Sequence, residues 1–202
     1  MKLEYFILTL KENRSWLLLA VFFFLGGFIL TYFSLSQDPE FLNMIEEIFQ
    51  TVLAELGNET REISPLQMSF FYFIRNVSAV LYVSFLGIIL GIPSLFSAIA
   101  NGSVLGLVAF HLAQQGKATI PYLIAGIVPH GMFELPAFFL SVALGLKLGY
   151  HVIFPLPNMS RAHTLRRIFA EMILSLPYLL VLLAIAALIE AFVTPVFLAF
   201  YL

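Results

Sequence analysis

From Trp16 to about Leu35 the chain passes through about 20 residues without a single charged side chain. An apolar run of that length matches the roughly 30 Å hydrocarbon layer of a bilayer as one helix. Its basic flank, Lys2, Lys11 and Arg14, resembles that of a secretory signal, but the run is long for one and no A-x-A-like cleavage site follows. We read it as an uncleaved first span, preceded by a short amphipathic helix over residues 1–15 at the inner membrane surface. Four further apolar stretches run from about 70 to 92, 95 to 114, 120 to 150 and 168 to 189. Only 11% of the 202 residues are charged and 61% are hydrophobic, too greasy for a water-soluble core of this size. The expected fold is therefore all-α: one polytopic membrane domain, with the lipid bilayer as its surroundings.

Pro93 and Gly116 punctuate the boundaries after the second and third spans. The stretch 120–150 is long for an upright helix and contains Pro129 and Pro136, which predicts a broken helix around 129–136. Five spans result, or six if the broken stretch crosses twice. The apolar tail 191–202 is too short to cross again and is expected to fold back along the interface.

Residues 36–68 differ in character. Seven acids and one base lie between Asp38 and Glu62, and Asp38-Pro39-Glu40 is a helix-start signal. Phe41, Ile45, Ile48, Val52 and Leu56 recur on one face, so residues 38–57 read as an acidic amphipathic helix. Positive residues favour the cytoplasmic side. Lys2, Lys11 and Arg14 form one basic cluster, and Lys147, Arg161, Arg166 and Arg167 form another around the loop before the last span. With five spans both clusters are cytoplasmic, while residues 36–68 and the C-terminus lie outside. A six-span chain would put the clusters on opposite sides.

A net charge of −2 excludes a basic nucleic-acid footprint, so no nucleic-acid partner is expected. The absence of cysteine excludes disulfides, thiolate nucleophiles and Cys-based metal sites. Gly87/Gly91, Gly102/Gly106 and Gly145/Gly149 are three small-xxx-small pairs that let helix backbones approach closely. They predict close packing within one bundle, and a homodimer is the further expectation. Ala79, Leu86, Gly87, Leu90 and Gly91 are echoed 58 residues later by Ala137, Leu144, Gly145, Leu148 and Gly149, with Asn76 opposite Glu134. A parallel duplication is one source of such an echo; chance in Leu- and Gly-rich spans is the other.

Ionisable groups inside spans are expensive and usually face partners or water. Arg75, Asn76, Asn101, His111, His130, Glu134 and Glu190 are the candidates. Arg75 is expected to snorkel outward or to pair with a carboxylate, Asn76 and Asn101 to bond neighbouring helices, and His111 to sit at the interface. Glu190 falls about 22 residues into the last span, roughly 33 Å of helix, which suggests an anchor at the outer boundary. In Pro129-His130-Gly131-Met132-Phe133-Glu134-Leu135-Pro136, His130 and Glu134 are four apart and share a face if the helix continues. The pair reads as a hydrogen bond fixing the break, as a protonatable site in a transport path, or, with a ligand or two missing, as part of a metal site. Two ligands are short of the usual three or four, so no metal, no cofactor and no catalytic residue is expected.

These same residues carry a family resemblance. Asn76, Asn101-Gly102 with Gly106, His130-Gly131-x-x-Glu134-Leu135-Pro136-Ala137 with Gly145 and Gly149, and Glu190-Ala191-Phe192-Val193-Thr194-Pro195 resemble the stage II sporulation protein M family, from about Trp16 onward. The resemblance implies a membrane protein of five to six spans without a bound cofactor, and carries over Asn76, Asn101, His130, Glu134 and Glu190 as motif residues without assigned roles. For the namesake member it implies a scaffold that holds peptidoglycan-degrading enzymes at the membrane during forespore engulfment. The leading expectation is accordingly a non-enzymatic membrane scaffold, with the acidic helix as the outer docking surface for partner proteins. A small transporter or channel with a His130/Glu134 midplane site is the alternative.

Overall fold

A computed structural model describes residues 3–37, 63–116 and 118–200. Among them the chain forms α1 (Leu3–Glu12), α2 (Arg14–Gln37), α3 (Pro65–Phe85), a 3₁₀ turn (Leu86–Ile88), α4 (Ile92–Gln114), α5 (Thr119–Ile153), α6 (Arg161–Phe192) and α7 (Thr194–Ala199). Five segments built on α2 to α6 are long and apolar enough to cross a membrane. The acidic amphipathic helix expected at 38–57 lies outside the described residues.

Local chemistry sets the ends of these helices. Ser64 caps α3 through a reciprocal pair with Gln67, and Pro65 fills the first turn, where a missing N–H removes nothing. Leu90 and Gly91 both take positive φ between the 3₁₀ turn and α4, and Pro93 stands in the first turn that follows. Gly116, also at positive φ, turns the chain from α4 towards α5. Ser160 caps α6, and the Thr164 hydroxyl accepts the Leu156 N–H, anchoring the α5–α6 loop.

The helices pack as two parallel pairs around α5. In α2 and α4, Gly102 lies against the Phe24 backbone and Gly106 against that of Phe28, while the Tyr32 and Phe110 rings meet 5.8 Å apart. Where α3 hands over to α4, Gly87 of the 3₁₀ turn lies against Gly145 of α5, and Gly91, just before α4, lies against Gly149. A Cβ at any of Gly87, Gly102, Gly106, Gly145 or Gly149 would drive into neighbouring backbone, so all three small-residue pairs serve contacts within this bundle. The second half of α5 is the central strut: nearly every residue from Ala137 to Gly149 is buried. One core cluster joins Leu140, Leu144 and Leu148 to Ile168, Leu179 and Leu183 of α6; another joins Phe138 and Val142 to Phe24 and Ala98. The outer faces are apolar and exposed, as at Phe22, Leu30, Phe70 and Phe96, the inverse of a soluble protein.

Three expectations need correction. The break at 129–136 is absent: α5 is one helix from Thr119 to Ile153, with Pro129 and Pro136 inside it. Each proline removes only one ladder hydrogen bond, and the tightly packed half that follows holds the helix on course. Among the described residues there are therefore five candidate spans, and α5 contributes one of them rather than two. The helix of the last span begins at Arg161 rather than near 168, and in the tail expected to fold back along the interface α7 packs on α5, with Leu198 against Gly126.

A buried polar cluster marks one end of the bundle. Lys147 of α5 forms an ion pair with Glu171 of α6. Arg167 and the Asn13 amide also reach Glu171, and Arg167 reaches Glu12. The indole of Trp16 packs near Tyr150 and His151 at the same end, as aromatic side chains do at a membrane interface. Phe6 of α1 stacks on Tyr178, seating the N-terminal helix on the bundle.

Candidate functional site

Away from that polar end, α3, α4, α5 and α6 enclose a cavity of about 290 Å³. Tyr72, Arg75, Asn76, Ala79 and Val80 come from α3, Asn101 from α4, His130, Glu134 and Phe138 from α5, and Leu183 and Glu190 from α6. Asn76 and Asn101 stand near the middle of their helices, so the chamber reaches towards mid-membrane depth. Exposed Arg75 and Ala79 on one side and exposed Asn101 on the other make a rim between α3 and α4. Val80, Phe138 and Leu183 form its apolar floor.

Because α5 continues through 129–136, the four-residue spacing does put His130 and Glu134 on one face. Their hydrogen bonds go elsewhere than to each other. The His130 Nδ1 lies 3.1 Å from the Thr194 hydroxyl, and the Asn76 side chain lies beside the Glu134 carboxylate in the chamber. Arg75 lies near enough for its charge to act on both Glu134 and Glu190. Asn101 differs from expectation: its amide bonds Ser97 of its own helix at 2.9 Å, leaving the carbonyl oxygen for the chamber. His111 stays apart from this group, 2.6 Å from Gln115 at the end of α4.

Glu190 is the largest revision. Counting residues placed it as an outer anchor, yet its carboxylate lies in the chamber, where the donor atoms of His130, Glu134 and Glu190 all fall within 4.8 Å of one another. The helix carrying it is longer than the apolar count suggested and is paired with a still longer α5, so positions near its C-terminus meet the first half of α5. Tyr72 is the chamber residue that sequence reasoning passed over. Its signal was its place one turn before Arg75 and Asn76 on a helix that carries them inward.

The fold and this site define a polytopic helical membrane protein with an ionisable chamber inside the bundle. The family model described as stage II sporulation protein M matches residues 20–195, and the chain belongs to that family. It is also similar to the uncharacterized protein MJ0793 of Methanocaldococcus jannaschii, with 27% identity over 181 residues that cover 89% of this chain and 93% of the relative. No solved structure matches.

Proposed function

We propose that the chamber is a ligand site at which a small polar or charged solute is held within the membrane, and that the protein is a small transporter. The observation that carries this is the convergence of Arg75, Asn76, Asn101, His130, Glu134 and Glu190 on one cavity from four helices. Ionisable groups at membrane depth are costly to insert and mark substrate or ion pathways by default. A plain tether would be more stable with apolar side chains at these positions. Neither His130 nor Glu134 is assigned a catalytic step.

The test is flux into liposomes holding the purified protein, across a panel of protons, metal ions and small solutes. Wild-type protein is expected to pass at least one of them, and Glu134→Gln to abolish that flux while still inserting and eluting as a single species. Wild-type liposomes no leakier than empty ones across the whole panel would overturn the reading.

The scaffold reading is favoured by a different observation, the exposed rim. Arg75 and Asn101 lie on the flank of the bundle, where lipid is a poor neighbour for a guanidinium and an amide. A second copy or a partner protein would cover them better. The chain has no cysteine, so Val104→Cys, beside that rim on α4, gives a clean cross-linking probe. A homodimer closed over this flank would give disulfide-linked dimers in native membranes; only monomers under oxidising conditions would count against it.

A further inference from the structure

We propose that His130, Glu134 and Glu190 form a site for one divalent metal ion of the zinc class, with its open coordination position facing the chamber. The inference rests on the reading of the chamber as a ligand site and names what it binds first. Zinc takes imidazole nitrogen and carboxylate oxygen at about 2.0–2.2 Å, which in a tetrahedral site puts neighbouring donors about 3.3–3.6 Å apart. The three donors here already lie within 4.8 Å of one another. Drawing them in by about 1 Å lies within the reach of the two glutamate side chains.

The surroundings match what such a site requires. A metal-bound histidine normally gives its other ring nitrogen to a fixed partner, which sets the tautomer and the ring orientation. His130 has that partner in the Thr194 hydroxyl at Nδ1, and Thr194 is itself buried, leaving Nε2 as the available ligand atom. The Asn76 side chain stands beside Glu134 on the chamber wall. These neighbours bring α3 and the start of α7 against two of the three ligands.

Charge points the same way. With both carboxylates ionised, as metal binding requires, they and the Arg75 guanidinium sum to one net negative charge around the chamber. A divalent ion reverses that to one net positive charge, which an anionic fourth ligand would neutralise beside Arg75. Three protein ligands and one vacant position is the pattern of zinc sites that exchange a ligand, rather than of closed structural sites. The imidazole selects against magnesium and calcium, which favour all-oxygen shells.

The test uses the full chain, stripped with chelator in detergent, and titrated with Zn²⁺ alone by calorimetry and with Co²⁺ alone by visible absorption. One ion per chain is expected, with a four-coordinate Co²⁺ spectrum and X-ray absorption at the zinc edge showing one imidazole with carboxylate oxygens. Glu134→Gln and Glu190→Gln are each expected to weaken Zn²⁺ binding by at least about 100-fold, beyond the range for losing an outer partner alone. Excess Mg²⁺ is expected not to compete.

Folded wild-type protein that binds no Zn²⁺, or that binds it unchanged after both substitutions, overturns the proposal; the second result would assign the ion to other histidines. If neither variant folds, the wild-type X-ray absorption decides, because a shell without imidazole excludes His130. Solute flux without Zn²⁺ binding sinks the metal site alone. Zn²⁺ binding without flux of any solute or ion sinks the transporter alone.

Discussion

Gly87 and Gly145 are 58 residues apart in sequence and meet backbone to backbone where the 3₁₀ turn after α3 lies against α5. Gly91 and Gly149 repeat the contact at the same separation, and Asn76 and Glu134, again 58 apart, line the same chamber. The echo noticed in the sequence is thus a contact register. A turn packed this closely on a helix needs small residues at facing positions on both, whatever their ancestry.

Replacing Gly145 by Ala is expected to lower the melting midpoint in detergent, since its new methyl group would meet the Val83 carbonyl and the Ser94 side chain. Overpacking of this kind costs about 1–3 kcal/mol. Gly26→Ala supplies the contrast: nothing lies within 4 Å of its added Cβ, so it should be neutral or mildly stabilising. Equal midpoints for the two variants would show that the glycine contacts do not set the packing.

The Lys147–Glu171 pair predicts a sharper asymmetry. Both side chains are shielded, so Glu171→Gln leaves a buried ammonium without its counter-charge, a loss of about 3–5 kcal/mol. Replacing both partners, Lys147→Met with Glu171→Leu, should recover most of that stability because no charge is left stranded. Thermal melts of the three proteins check this, and a double variant no better than the single one would contradict it.

Sidedness follows from the basic residues gathered near the α5–α6 loop, under the rule that positive charge stays inside. In intact cells a membrane-impermeant maleimide should label Gln115→Cys, in the α4–α5 turn, and spare Met159→Cys until the membrane is opened. The reverse pattern would invert the orientation. Labelling of both from outside would mean that α5 does not cross.

Thr194 is placed to hold His130 rather than to bind a ligand itself. Thr194→Val should weaken Zn²⁺ binding by about 10-fold with the fold intact, and Thr194→Ser should restore it. Competition against a chelating dye measures the change. Unaltered affinity in Thr194→Val would show that the ring of His130 is oriented by something else.

Much of this was readable in advance, for definite reasons. Charge-poor runs located the spans, and Pro93 and Gly116 marked two turns because a missing N–H and positive φ act locally. The spacing of His130 and Glu134 gave their shared face for the same local reason. What failed depended on neighbours. Pro129 and Pro136 read as a break because sequence cannot show how firmly the following half of α5 is gripped. Glu190 was misplaced because a ruler laid along one helix says nothing of the longer helix beside it. Glu171 drew no comment, although it and Lys147 were both charges inside predicted apolar stretches, a signal that each needed the other.

The floor of Val80, Phe138 and Leu183, with the leucines of α5 stacked beyond it, has one more implication. A molecule entering beside Arg75 meets a dry stopper before it can reach the Trp16 end, so no continuous water column threads the bundle. Passage would require α5 and α6 to part, a rearrangement on the microsecond-to-millisecond scale. Throughput would then be paced by that helix motion and saturate at high solute concentration, as in an airlock rather than an open pore.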